Sequence, residues 1–134
     1  MRFYILLAGV LGLVACASSE PVTGDPQAAA ALRAQPATQY AATVALAQTV
    51  ANRCAIYQYN LPLGRVVDEQ RTAQGIGLAT ARTQVAAVDL ETDIATRNLL
   101  ARYEVEALEG PDVCAVAAGE VARQSALGAL LVRI

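Results

Sequence analysis

Alanine dominates this chain, supplying 29 of its 134 residues. Alanine is the strongest helix former and has almost no side chain to bury. Such a chain is confined to helices that approach closely around a core thin in apolar area. Hydrophobic residues reach 55%, but aromatic residues only 4%. No segment shows the two-residue alternation of a half-buried strand, and Val66-Val67 is too short to count. The pattern predicts an all-α fold, a small bundle of four or five helices, with a core that needs a staple.

The first residues give an address. Arg2 precedes an apolar run over residues 3–13, too short to span a bilayer and followed by polar residues. The run closes on Leu13-Val14-Ala15-Cys16, which resembles a bacterial lipobox. That resemblance implies export, cleavage before Cys16 and acylation of Cys16 by palmitate-type chains. The mature chain then has 119 residues. Each buried lipid CH₂ contributes about 0.8 kcal/mol, so two or more chains anchor stably where one does not. Ala15-Cys16-Ala17 also fits an ordinary signal peptide cut after Ala17, and either reading exports the protein. Ala17 stands where retained inner-membrane lipoproteins often carry Asp. By resemblance to that sorting pattern, the periplasmic face of the outer membrane is the expected location, with the membrane itself a partner through Cys16.

Export bears on the other cysteines. With Cys16 acylated, Cys54 and Cys114 remain, an even pair in an oxidising compartment. A disulfide between them is the expected staple, and closing that loop stabilises by about 4 kcal/mol in the entropic account. Two free buried thiols are the alternative. No metal and no cofactor are expected, since two Cys without any His do not complete a usual zinc set.

The chain divides into a signal over residues 1–15, a flexible tether over 16–25 and a helical domain over 26–134. Asp25-Pro26 reads as a helix start. Thr38 is expected to cap a long helix running to about Tyr59, with Tyr40, Val44, Ala47, Val50, Ala51, Cys54 and Tyr57 on one stripe. Asn60 to Gly64 is a turn or a helix restart, and a short polar helix follows to Gln74. Residues 78–109 lack Gly and Pro and form one long helix, or two meeting near Asp89. Asp112 is expected to cap the last helix.

The spacing of Cys54 and Cys114, with Asp112-Val113-Cys114-Ala115, Gly119-Glu120, Ala122, Ser125, Leu127-Gly128 and Leu130-Leu131, is similar to an uncharacterised family of secreted helical alphaproteobacterial proteins, a domain of unknown function. The resemblance covers roughly residues 50–133. Ile76-Gly77-Leu78-Ala79 departs from it, because the family is more charged after the glycine turn. It implies the helical fold and the disulfide, and no activity.

Chemistry is mostly excluded. Net charge is −2 and every basic residue is Arg, which disfavours a nucleic-acid face. The chain has no His, so the usual nucleophile–base triads are absent. Gly75-Ile76-Gly77 lacks the further glycine and Lys of a phosphate loop. Glu104, Glu106 and Glu120 are the carboxylates to weigh for glycoside cleavage. Glu120, after Gly119 on the last helix, could face inward, and the commoner outcome for all three is a helix-surface role or an N–H or Arg partner. No catalytic residue is assigned. Tyr57, Tyr59, Leu61 and Leu63 form the candidate partner-contact surface, with the alternative that the turn tucks the leucines under the bundle. The expected function is that of a non-enzymatic periplasmic lipoprotein, an adaptor or structural partner of an envelope assembly, with a protein partner. The alternatives are a cell-wall-active enzyme using a buried carboxylate and a helical domain that binds a small ligand.

Overall fold

The computed structural model describes residues 24–134. The signal, the lipobox and Cys16 lie outside the described residues. Asp25 opens α1 (Pro26–Arg33), its carboxylate accepting from the N–H groups of Gln27 and Ala28. The chain continues through α2 (Ala37–Arg53), β1 (Tyr57–Tyr59), α3 (Leu61–Ala73) and α4 (Leu78–Ala81). It ends with α5 (Val85–Tyr103), α6 (Gly110–Ala122), α7 (Ala126–Ala129) and β2 (Leu131–Arg133). Five helices have eight or more residues and two are single turns, so the fold is helical and stapled, as the composition predicts.

Helix α2 is the centre of the bundle. Its expected stripe holds: Tyr40, Val44, Ala47 and Val50 are buried, joined by Leu32, Val67, Val113, Val116 and Leu130. The staple is present, a Cys54–Cys114 disulfide with the two Cα atoms 5.2 Å apart. It ties the end of α2 to the first turns of α6 across 60 residues of chain.

Five boundaries differ from expectation. Helix α2 stops at Arg53 rather than near Tyr59, because Cys54 is extended and the chain then pairs as a strand. Strand β1 runs antiparallel to β2, with Tyr57 opposite Arg133 and Tyr59 opposite Leu131. A ribbon of three residues a side is made by tertiary pairing of two distant segments, too short for any periodicity to announce. Residues 78–109 break at 82–84, not at Asp89, so Asp89, Glu91 and Asp93 lie within α5 rather than at its start. Helix α5 ends at Tyr103 because Glu104 takes a left-handed conformation, and the Val105 N–H donates back to the Leu100 carbonyl. Neither Thr38 nor Asp112 is a cap: Pro36 and Glu109 hold those positions without side-chain bonds, and Asp112 sits in the first turn of α6.

Asn60 resolves the turn into a restart. Its side chain accepts from the Leu63 N–H and opens α3, with Pro62 in the first turn. Helix α3 carries one surprise for a polar helix: Arg71 is buried. Its guanidinium lies 4.2 Å from the centroid of the Tyr40 ring, and its Nη1 donates to the Arg33 carbonyl at the end of α1. Burial pushes the Arg71 guanidinium down and the Tyr40 phenol up, the negative charge of Asp68 adding to the rise of Tyr40.

Candidate functional site

Glu120 is the one buried acid among the described residues, 2% exposed. It faces inward from α6, a placement its sequence position allows. Tyr103, in the last turn of α5, donates its phenol O–H to Glu120 Oε1 at 2.8 Å. Arg102 Nη1 donates to the same oxygen at 2.9 Å. Arg123, one turn further along α6, holds its Nε 3.9 Å away. Burial, the bond to Glu120 and the charge of that carboxylate push the Tyr103 phenol up to about 12. The main-chain carbonyl of Glu120 also accepts from the Ser125 hydroxyl, which caps α7. One residue thus joins three helices.

Beside Glu120 opens a cleft of about 250 Å³ between α2, α5 and α7, lined by Gln35, Thr43, Asn98, Arg102, Ser125 and several apolar side chains. A second hollow of about 250 Å³ adjoins it and shares Gln35, Thr43, Ala95 and Asn98. Gln35 donates its amide to the Thr43 hydroxyl at 3.0 Å, while its Oε1 is buried without a partner among the described residues. Glu104 and Glu106 are exposed beyond the end of α5 and do not line the cleft, so the structure does not assemble the three glutamates. Among the described residues no group of His, Cys, Asp and Glu is placed to hold a metal ion.

On the other side of α2 runs a mostly apolar groove. One part, about 310 Å³, is lined by Ala41, Val44, Leu78, Ala81, Val85 and Val88 among others. The next part, about 520 Å³, shares Val44, Gln48 and Leu78 and ends at Tyr59, Leu61 and Gly64. Here the expected contact surface needs correction. Tyr57 and Leu63 are buried in the core, Tyr59 is half-buried and only Leu61 is exposed, at 49%. Helical spacing would send one of the two tyrosines outward. On a strand, residues two apart share a face, so both turn to the core and Gln58 points out. Tyr59 then lies over Gly64, where a Cβ would collide with its hydroxyl. The four residues do not form one surface.

No family model, curated protein or solved structure matches the chain. Among the described residues no helix is long and apolar enough to cross a membrane. What the arrangement can do chemically follows from Glu120. General acid–base work needs a carboxylate free to exchange a proton with substrate, commonly with a second carboxyl across the bond being cleaved. Oε1 of Glu120 already takes two donors; among the described residues no other acid lines the cleft beside it, and Glu91 lines the adjoining hollow. The cleft's polar groups are suited to hydrogen bonding.

Proposed function

We propose that this chain is an exported lipoprotein, held by acyl chains on Cys16 at the periplasmic face of the outer membrane. Its helical domain works by contact, as an adaptor or structural partner of an envelope assembly. The observation that carries the non-catalytic part is the engagement of Glu120 by Arg102 and Tyr103, which commits the one buried acid among the described residues to joining α5 and α6. The lipobox pattern Leu13-Val14-Ala15-Cys16 supports the address. The Cys54–Cys114 disulfide is in keeping with an oxidising compartment.

A second reading is favoured by Gln35. Its buried, unpartnered Oε1 beside the polar cleft is an acceptor that a small polar ligand with an N–H or O–H could satisfy.

Two experiments test the proposal. Cells fed labelled palmitate should label the chain, and Cys16→Ser should abolish both label and membrane association. A Cys16→Ser variant that stays with membranes, or a wild-type mature N-terminus at Ser18, overturns the anchor. Crosslinking from membranes should then capture an envelope protein equally well with the wild type and with Glu120→Gln. Loss of the physiological role in a folded Glu120→Gln variant would favour the enzyme instead.

A further inference from the structure

Helix α5 is built unlike the others. Of its 19 residues only Leu99 is fully buried. Ala95 and Leu100 pack partly against the core on the same side as Leu99. The opposite side shows two large apolar residues to solvent, Leu90 and Ile94, the latter at the rim of the hollow against α2. Leu90 is 59% exposed and Ile94 43% exposed, and Ala87, Arg97 and Ala101 are exposed with them. These five positions follow one another at intervals of three, four, three and four. That spacing keeps them on a single narrow stripe of the helix, the repeat by which helices seat against one another.

The charge along α5 says what covers the stripe. Asp89, Glu91 and Asp93 lie in its first half and Arg97 in its second, where Arg102 is turned to Glu120. A copy laid parallel sets acid against acid. A copy laid antiparallel sets each acidic half against a basic one. The stripe is also symmetric in the sense that an antiparallel pair requires, because Ala87 and Ala101 stand seven residues either side of Ile94. We propose that this face docks onto the same face of a second copy, the two α5 helices running antiparallel about an axis beside Ile94. In that pairing Ile94 meets its own counterpart. Ala87 faces Ala101 of the other copy, where small side chains allow close approach. The stem of Arg97 lies along the opposing Leu90 and carries its guanidinium toward the opposing acidic half. Arg97 pairs with Asp93 within its own helix, but both side chains stay more than half exposed, so this ion pair holds neither in place strongly.

The contact is small. A 19-residue helix is about 28 Å long, and one stripe of it falls below the roughly 1,200 Å² of a standard interface. The pairing is therefore weak between freely diffusing copies and strong between copies confined to one surface, where effective concentration is high. It goes beyond the adaptor reading, and its strength at the membrane rests on the anchor proposed there.

Single cysteines placed in the full chain and oxidised in intact membranes test it, with the unsubstituted chain setting the background. Ile94→Cys should give a species of twice the mass that reductant dissolves. Ala101→Cys alone should not, since its own counterpart lies about 21 Å away along the antiparallel pair. Copies bearing Ala87→Cys mixed with copies bearing Ala101→Cys should crosslink. Leu90→Glu, at an exposed position, should cut the Ile94→Cys product at least tenfold with the circular dichroism unchanged. Crosslinking of Ile94→Cys no greater than background overturns the proposal. So does self-crosslinking of Ala101→Cys, which means a parallel pair, or an Ile94→Cys product containing a different protein. Palmitate labelling of the same samples reads the anchor separately. Loss of label with the crosslink retained sinks the anchor and leaves this interface standing.

Discussion

Gly119 is what lets Tyr103 reach Glu120. A Cβ on Gly119 would collide with Cε1, Cζ and Oη of the Tyr103 ring, so α5 and α6 meet at this distance only over a glycine. The hydrogen bond from Tyr103 to Glu120, one residue along, depends on that approach.

The sign of a substitution there is diagnostic. In an unhindered helix interior, Gly→Ala stabilises by up to about 1 kcal/mol. Here Gly119→Ala should destabilise by about 1–3 kcal/mol, because the ring has to move and the core around it is close-packed. The midpoint of urea unfolding measures it. A stabilised Gly119→Ala protein would mean that Tyr103 does not sit against α6.

Glycine at 119 also marks how far the sequence could be read. The all-helical class, the stripe of α2 and the Cys54–Cys114 bond were legible, because each follows from composition, three- and four-residue spacing or cysteine parity. An inward Glu120 was one option its place after Gly119 left open, beside a helix-surface role or an Arg partner. Which partners it has was not legible, since Arg102 and Tyr103 meet it through the tertiary docking of α5 on α6. The ribbon of β1 and β2 left no local signal, and it overrode helical spacing at Tyr57 and Tyr59. Arg71 read as a surface residue because nothing local says that Tyr40 and the Arg33 carbonyl wait for it. The break at residues 82–84 carries no Gly or Pro.

Alkaline pH should unfold the protein through its tyrosines. The Tyr103 phenol is pushed up to about 12 from its ordinary 10, and burial pushes Tyr40 and Tyr59 up as well. A group whose folded pKa exceeds its unfolded one contributes stability below the unfolded value. That contribution is lost as pH rises through the folded value. Stability should therefore be level up to about pH 10 and fall between 10 and 12. None of the four tyrosines among the described residues is exposed, so the phenolate absorbance of Tyr40, Tyr59 and Tyr103 should rise only above pH 10, together with loss of helicity. Tyr103→Phe should soften the fall. A single phenolate transition near 10 in the folded protein would contradict the buried setting.

Arg71 should reveal whether its charge or its bulk matters. Arg71→Ala removes the buried stem, the guanidinium over Tyr40 and the donor to Arg33, and should cost about 2–4 kcal/mol. Arg71→Met keeps the stem and removes a buried charge whose Nε and Nη2 have no partner among the described residues. Replacing a poorly paired buried charge by an apolar group is often close to neutral. The methionine variant should therefore be clearly more stable than the alanine variant by thermal unfolding. Equal losses would show that the ring contact and the Arg33 bond carry the site.

Reduction should expose how little the alanine-rich core holds by itself. The Cys54–Cys114 bond closes 60 residues of chain, which lowers unfolded-state entropy by about 4 kcal/mol at room temperature. Small domains are stable by only about 5–15 kcal/mol in all. Reductant should lower the unfolding midpoint by roughly 15 °C or more, given the size of the domain. The end of α2 and the start of α6 should loosen first, and with them the ribbon, since β1 begins three residues after Cys54 and pairs with residues 131–133. Hydrogen exchange at the amides of residues 57–59 and 131–133 should then accelerate before that of the α2 centre around Ala47. Cys54→Ala with Cys114→Ala should reproduce both effects without reductant. A double variant as stable as the wild type would mean that helix docking around α2 alone supports the fold.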